Sequence, residues 1–237
     1  MQHYFALSVN SEQIILEESD VFHLTKVMRA KLHTELKAVY NEKVYLGEVI
    51  SLSPFLIKNK GETEETSREL DKEVTLFYSL AKGDKIDFVI QKATELGASK
   101  IVLIKTEHCV VKMDDKDFLR KKERYLRIAK EASEQSERRK IIEILGVYDI
   151  KHIPNELLSD VNYVAYEKEA YSKTDLSLVK ESKSISCLIG PEGGLSKEEV
   201  DILLSQGFHT LSLGKRILRT ETAAIAALVM INLYIEE

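Results

Sequence analysis

The chain has 237 residues, of which 44% are hydrophobic, and its formal net charge at neutral pH is −5. This length suits one large domain or two modest ones with a useful core. The acidic balance argues against bulk, non-specific nucleic-acid binding but leaves room for a local basic patch. The chain has two cysteines, which are too few to form a disulfide framework. Cys187 lies in an apolar run and is predicted to be a buried thiol. With no signal-like N-terminus and no membrane-length apolar run, we expect a cytoplasmic protein without a membrane partner.

Short β-like runs dominate the first 60 residues, at Gln2–Ser8, Glu35–Tyr40, Lys43–Ser51 and Phe55–Lys58. A helix from about Val21 to Met28, with Asp20 as its N-cap, interrupts them. Several short strands in so short a stretch predict a small barrel. Residues 59–72 are polar and without periodicity, with Leu70 as their one large apolar residue. We therefore place a boundary inside them and predict domains at 1–70 and 71–237.

Strands and helices alternate after this boundary. Strands are predicted at Val74–Leu80, Lys100–Lys105, Ile141–Ile144, Val161–Tyr166, Ile185–Ile189 and Phe208–Leu213. Helices are predicted from Asp84, as cap, to Gly97, from about Asp117 to Glu137, from Ser196 to Gly207, and from Thr220 to Tyr234. Ser196 and Glu199 have the spacing of a capping box. The alternation predicts an α/β domain with a mainly parallel sheet.

Two loops carry the strongest functional signal, at Leu188–Ser196 and Leu211–Ala223. Each follows a short apolar run, contains glycine and leads into a predicted helix. Ligands in open α/β sheets lie beyond the carboxyl ends of strands, and glycine lets the backbone approach them closely. The spacings of a P-loop and of a dinucleotide-binding loop are absent. From the first loop alone, a structural turn and a ligand site remain equal alternatives.

The pair of loops resembles the signature of the SPOUT methyltransferases, in particular the ribosomal RNA small subunit methyltransferase E family. Further matching stretches are Lys82–Asp84, Gln91–Gly97, Glu131–Arg138 and, more weakly, His23–Arg29. The chain departs from the family at Lys215, where proline is frequent, and at Glu137, where glycine is frequent. The resemblance implies a trefoil-knotted C-terminal α/β domain over 71–237, a PUA-like or OB-like RNA-binding barrel over 1–70, and a homodimer.

By resemblance, the protein uses S-adenosyl-L-methionine, without a metal, to methylate N3 of a uridine in 16S ribosomal RNA, free or within the small ribosomal subunit. Two alternatives remain open. One is a related transferase acting on tRNA or on a ribose 2′-hydroxyl, and the other is a non-catalytic RNA-binding protein of ribosome assembly. The histidines and cysteines lack the spacing of metal ligands.

The donor site is assigned to ten residues of the two loops: Ile189, Gly190, Pro191, Glu192, Gly193, Leu213, Gly214, Ile217, Leu218 and Thr220. Ile217 and Leu218 would wall an adenine pocket, with ordinary packing as the alternative. Glu192 would face the cationic end of the donor or be solvated. Thr220 is a natural N-cap for the last helix, and that structural role is its alternative.

The chemistry is assigned to Arg219 and Glu221. An arginine stays protonated, so it can hold a phosphate or stabilise negative charge on uracil but cannot act as the base. Glu221 could orient Arg219 or accept a proton. An internal ion pair between the two residues is the alternative.

RNA contacts are assigned to the long helix and to the N-terminal region. Arg120, Arg124, Arg127 and Arg138 are spaced to share one helix face. Between positions 112 and 140, 11 basic residues stand against 7 acidic ones, an excess of four. This face is either an RNA-backbone contact or a solvated surface. His23, Lys26 and Arg29 either contact phosphate or cap and solvate a short helix.

Overall fold

The computed structural model describes residues 1–166 and 175–236. The chain falls into two compact units. The first comprises Met1–Glu69 together with Ser133–Lys140, and the second comprises Leu70–Ala132 together with Ile141–Glu237.

The first unit is built on five strands: β1 (Gln2–Val9), β2 (Gln13–Leu16), β3 (Glu35–Tyr40), β4 (Lys43–Leu52) and β5 (Phe55–Glu62). They close into a barrel in the order β1-β2-β5-β4-β3, with β1 and β3 parallel and the other neighbours antiparallel. Side chains at alternate positions point inward, and Tyr4, Ile14, Leu36, Val49 and Ile57 are at most 3% exposed. The small barrel predicted from the sequence is present.

Some details of this unit differ from the sequence-based predictions. Strand β2 was not predicted, because its four residues are too few to display a clear alternation. Strand β5 extends to Glu62, four residues beyond the predicted end. Helix α1 (Glu18–Phe22) has Glu17 at its N-cap position, so the prediction that Asp20 is the N-cap is wrong. The helix continues into a π-helical turn at His23–Val27.

The second unit contains a sheet of six strands: β6 (Glu73–Ser79), β7 (Lys100–Lys105), β8 (Glu143–Asp149), β9 (Val161–Ala165), β10 (Ser184–Ile189) and β11 (Phe208–Leu211). Their order is β11-β9-β10-β6-β7-β8, and every neighbouring pair is parallel. The predicted α/β architecture with a parallel sheet is confirmed.

Helices cover both faces of this sheet. They are α2 (Lys85–Glu95), α3 (Asp115–Gln135), α4 (Ser177–Glu181), α5 (Lys197–Ser205) and α6 (Thr220–Glu236), with 3₁₀ turns at Ile150–His152 and Asn155–Leu157. Alternation within a strand supplies a core to each face. Leu76 and Tyr78 join the core that includes α2 and α6, whereas Phe77 joins the core beside α5.

The capping predictions had mixed outcomes. The capping box of Ser196 and Glu199 is confirmed at the start of α5. Asp84 occupies the N-cap position of α2, but its side chain makes no capping hydrogen bond.

Other details of the second unit also differ from the predictions. Strand β8 begins two residues later than predicted and continues to Asp149, and α4 was not predicted. Cys187 is a buried free thiol, as predicted.

Candidate functional site

Three neighbouring strands, β11, β9 and β10, end at the same edge of the parallel sheet. Residues 190–196 leave β10 and lead into α5, while residues 212–219 leave β11 and lead into α6. Because parallel strands present their carboxyl ends together, two loops far apart in sequence meet there.

The first loop is anchored by a buried carboxylate. Glu199 is 1% exposed, and one of its oxygens accepts a hydrogen bond from the Ser196 backbone N–H at 2.9 Å. The other oxygen accepts from the Glu107 backbone N–H at 2.7 Å, which ties the loop to the segment following β7. Within the loop, the Gly194 N–H donates to the Pro191 carbonyl oxygen at 2.9 Å and forms a turn. The loop is therefore fixed at its far end and inside its turn.

The second loop is joined to the first by Thr220. This residue is the first of α6, and its hydroxyl donates to the Gly190 carbonyl oxygen at 3.0 Å. The Thr220 hydroxyl therefore joins the two loops by a hydrogen bond. The prediction of Thr220 as an N-cap did not include this contact. Gly214 has φ +94°, a conformation that side chains with a Cβ rarely adopt. Glycine is therefore needed where this loop leaves β11.

A cleft of about 420 Å³ lies between the two loops. All ten residues predicted to bind the donor line it, and so does Arg219. Seven further residues that were not predicted to bind the donor also line the cleft: Ala165, Tyr166, Gly194, Leu195, Leu211, Arg216 and Ala223. Ala165 and Tyr166 end β9, so the rule that ligands lie at carboxyl strand ends could have found them. Ile217 is 91% exposed, so its alternative as ordinary packing does not hold.

A lysine that the sequence analysis did not single out links the two loops electrostatically. Lys85 Nζ, on α2, lies 2.8 Å from a carboxylate oxygen of Glu192 and 3.3 Å from one of Glu221. The hydrogen bond to Glu192 raises the pKa of Lys85. Desolvation acts to raise the pKa of Glu192, but the bond from Lys85 and nearby backbone bonds outweigh it and hold that pKa below its usual value. Both carboxylates therefore face one cation.

This cluster bears on the alternative of an internal ion pair between Arg219 and Glu221. Within residues 1–166 and 175–236, the cation beside Glu221 is Lys85, and no ion pair joins Glu221 to Arg219. Arg219 is exposed on the cleft wall. An exposed guanidinium beside an apolar cleft is available to an anionic ligand.

The predicted RNA-contact residues of α3 are exposed but differ in their partners. Arg120 pairs with Asp117, and Arg124 pairs with Asp87 and, at 3.6 Å, with Asp84. For Arg127 the described part of the chain offers no ion-pair partner. Of the three arginines, Arg127 is therefore the one whose guanidinium is most accessible to a phosphate.

The predicted RNA-contact residues of the first unit are either exposed or held by contacts within the protein. Lys26 and Arg29 are exposed, whereas the His23 ring is held by the Tyr4 hydroxyl at 2.9 Å. Arg138 is 3% exposed, and its guanidinium lies 2.6 Å from Glu69. Because a phosphate cannot reach a buried, paired guanidinium without disrupting it, we assign Arg138 to the stability of this unit and not to RNA contact.

The described residues contain no group of three or more histidine, cysteine, aspartate or glutamate side chains arranged to hold a metal ion. No helix among them is both long and apolar enough to cross a bilayer.

Comparisons with known proteins converge on one class. A family model described as an RNA methyltransferase domain matches residues 68–232. The ribosomal RNA small subunit methyltransferase E of Bacillus subtilis (strain 168) is 35% identical, over 98% of this chain and 96% of that protein. Its namesake from Aquifex aeolicus (strain VF5) is 30% identical, over 95% and 96%. A crystal structure of the enzyme with that name from Neisseria gonorrhoeae, bound to S-adenosyl methionine, matches with a TM-score of 0.85 at 26% identity, over 99% and 98%.

Proposed function

We propose that this chain, which belongs to the ribosomal RNA small subunit methyltransferase E family, methylates N3 of a uridine in small-subunit ribosomal RNA with S-adenosylmethionine as donor. The observation that carries this proposal is the cleft where two glycine-bearing loops meet beside an exposed arginine. Family membership supports the donor and the ribosomal RNA substrate.

The residues that line the cleft fit such a donor. Its volume of about 420 Å³ lies within the range of small-molecule sites, roughly 300–1,000 Å³. Gly190 and Gly214 let the backbone of both loops approach a ligand, while Ile217 and Leu218 offer apolar walls to a flat base. The Glu192 carboxylate at the cleft suits a cationic group. We assign the holding of the donor to these two loops.

The protein's part in the reaction is to position, to exclude water and to manage charge. When bound, the donor supplies a methyl group to a nucleophile. Loss of the N3 proton leaves negative charge on the uracil ring. The Arg219 guanidinium can stabilise that charge, or it can instead hold the phosphate of the nucleotide. Glu221 is the candidate to accept that proton or to orient its neighbours, with Lys85 keeping its carboxylate in place.

Calorimetry with S-adenosylmethionine and S-adenosylhomocysteine, without added metal, tests the donor site. Gly190 lines the cleft, and a Cβ there would lie 3.0 Å from Leu195 Cγ, which lines it too. The leucine side chain of Gly190→Leu should therefore displace the loop or occupy donor space, and binding should be lost. Gly146→Leu is the matched control, since a Cβ there meets nothing closer than 3.9 Å. Unchanged affinity in a folded Gly190→Leu protein would move the site elsewhere.

We propose RNA contacts for Arg120, Arg124 and Arg127 on α3 and, separately, for Lys26 and Arg29 in the barrel over residues 1–70. The local positive charge of α3 supports it, because phosphate contacts dominate affinity for RNA. Reversing the three α3 charges should weaken RNA binding and flatten its salt dependence while leaving donor affinity unchanged. Normal methylation by that triple variant across salt concentrations would make this face only a solvated surface.

We also include a homodimer and a trefoil knot in the region 71–237. Val229, Leu233 and Tyr234 on α6 are between 36% and 58% exposed, which suits a partner subunit. Helix α6 follows β11 and packs on α2, β10 and β6, beyond the adjacent β9, which supports a chain crossing. A monomer in light scattering at micromolar concentration would contradict the dimer. An experimentally determined backbone that unties when its ends are pulled apart would contradict the knot.

A further inference from the structure

Tyr78 is a buried tyrosine in the core on which both loops of the cleft begin. It is the second-last residue of β6, and it pairs in register with Ile189, the last residue of β10 before the first loop. Its side chain is fully buried in the core that also contains Leu211, the last residue of β11 before the second loop. A change at Tyr78 can therefore reach both walls of the cleft.

The hydroxyl of Tyr78 is buried and makes no well-aligned hydrogen bond to any described residue. A buried polar atom without a partner is costly, and a phenylalanine would fill nearly the same space without that cost. Burial raises the pKa of this hydroxyl, the neighbouring Thr220 hydroxyl acts to lower it, and the charges of Glu221 and Glu192 raise it further. The hydroxyl therefore keeps its proton and can donate it to an acceptor.

Thr220 offers that acceptor. Its hydroxyl donates its one proton to the Gly190 carbonyl oxygen at 3.0 Å, and its oxygen keeps lone pairs that can accept. Thr220 is 4% exposed, so bulk water has little access to those lone pairs. A bond from Tyr78 would fix the rotation of the Thr220 hydroxyl and strengthen its bond to Gly190, because hydrogen bonds in a chain polarise one another. One chain of bonds would then run from the sheet through α6 to the first loop.

We infer that Tyr78 positions the methyl donor, by donating a hydrogen bond to Thr220 that closes when the donor draws the two loops together. Tyr78 is not among the described residues that line the cleft, so it acts through Thr220 and Gly190, which are. Hydrogen bonds in active sites are often poorly aligned before the ligand binds and tighten in the complex. A hydroxyl that gains its partner on binding adds to donor affinity and not to the stability of the free protein. The inference rests on the proposed function for the identity of the donor.

Calorimetry with S-adenosylhomocysteine and urea unfolding without it, both on the full chain, test this inference. Tyr78→Phe should weaken binding about 3–10-fold, the worth of one net hydrogen bond, and should leave the unfolding midpoint unchanged or higher. Tyr125→Phe is the matched control for binding, because Tyr125 is buried in the same core on α3 and is not a described residue of the cleft lining. Tyr163→Phe is the comparison for stability, because the Tyr163 hydroxyl donates to the Asp175 carbonyl oxygen at 2.9 Å.

Two further measurements distinguish positioning through Thr220 from a packing role. In a Thr220→Val background, Tyr78→Phe should weaken binding by less than about twofold, because the acceptor is already gone, whereas in Thr220→Ser the full loss should remain. In steady-state methylation with saturating RNA, Tyr78→Phe should raise the KM for S-adenosylmethionine by about the same 3–10-fold and leave kcat within about twofold, since the hydroxyl contacts no reacting atom.

Unchanged affinity in Tyr78→Phe would overturn the inference. A loss of unfolding free energy equal to that of Tyr163→Phe would overturn it too, because the bond would then exist without the donor. Additive losses with Thr220→Val, or coupling to Glu221→Gln in its place, would refute the link through Thr220. A protein that methylates RNA but binds the donor equally well as Tyr78→Phe refutes only this inference. A wild type that binds the donor more tightly than Tyr78→Phe yet leaves RNA unmethylated contradicts only the proposed function, and a wild type that binds no donor contradicts both.

Discussion

Removing the positive charge at Lys85 should destabilise the second unit by about 1–4 kcal/mol. Lys85 Nζ lies 2.8 Å from Glu192 and 3.3 Å from Glu221. The Glu192 side chain is 37% exposed, so this pair contributes at most about 1 kcal/mol to the free energy of unfolding. The Glu221 Oε2 atom is buried without a well-aligned hydrogen bond, so Lys85 compensates it through charge. Leaving that oxygen uncompensated costs about 1–3 kcal/mol.

A double-mutant cycle in urea unfolding measures this coupling. Lys85→Met should lose the full amount, whereas the same change in a Glu221→Gln background should lose about 1–3 kcal/mol less, since no charge is then stranded. Lys92→Met is the control, because Lys92 on the same helix pairs with Glu95, both partly exposed at 32% and 26%. A Lys85→Met loss below about 0.5 kcal/mol, or an equal loss in both backgrounds, would refute the reasoning.

Three further predictions concern single contacts. Arg219→Ala should lower single-turnover methylation with saturating RNA about a hundredfold or more while donor affinity stays within a few fold; near-normal turnover would assign the step to another residue. Thr220→Val should lose about 1 kcal/mol through the bond to the Gly190 carbonyl, and Thr220→Ser should retain it, as chemical denaturation can show. Desolvation acts to raise the pKa of Glu69, but its bonds from Arg138 and from the Arg139 and Lys140 backbone outweigh it and lower that pKa. The stability from this pair is therefore present above the ordinary carboxyl pKa and lost as pH falls through the lowered value. Arg138→Met should remove much of that acid-side dependence, which an unfolding series from pH 7 to pH 3 would detect.

The sequence predicted the architecture of both units wherever a strand or helix displayed its own periodicity. The buried runs of the parallel sheet and the capping box of Ser196 and Glu199 are local patterns, so they could be read without tertiary information. Strand β2 could not, because four residues carry too little pattern. The two loops were found because glycine and polar residues at strand ends are visible in sequence.

What the sequence could not reveal depends on contacts between distant residues. Lys85 precedes Glu192 by more than a hundred positions, and only the fold brings its ammonium between the two loops. Arg138 continues the helical spacing of Arg120 and Arg124, but α3 ends at Gln135, two residues before the predicted end, so Arg138 lies beyond the helix and is buried against Glu69. The use of the Thr220 hydroxyl between loops is hidden for the same reason.

Nucleoside mass spectrometry of methylated RNA tests the proposed activity most directly. The purified chain would be incubated with S-adenosylmethionine and unmodified small-subunit ribosomal RNA, free and assembled into subunits, with Arg219→Ala as the matched control. We predict 3-methyluridine in the wild-type reaction and about a hundredfold less in the variant. Methylation at a ribose 2′-hydroxyl, or no methylated nucleoside from either substrate by a protein that binds the donor, would contradict the proposed function.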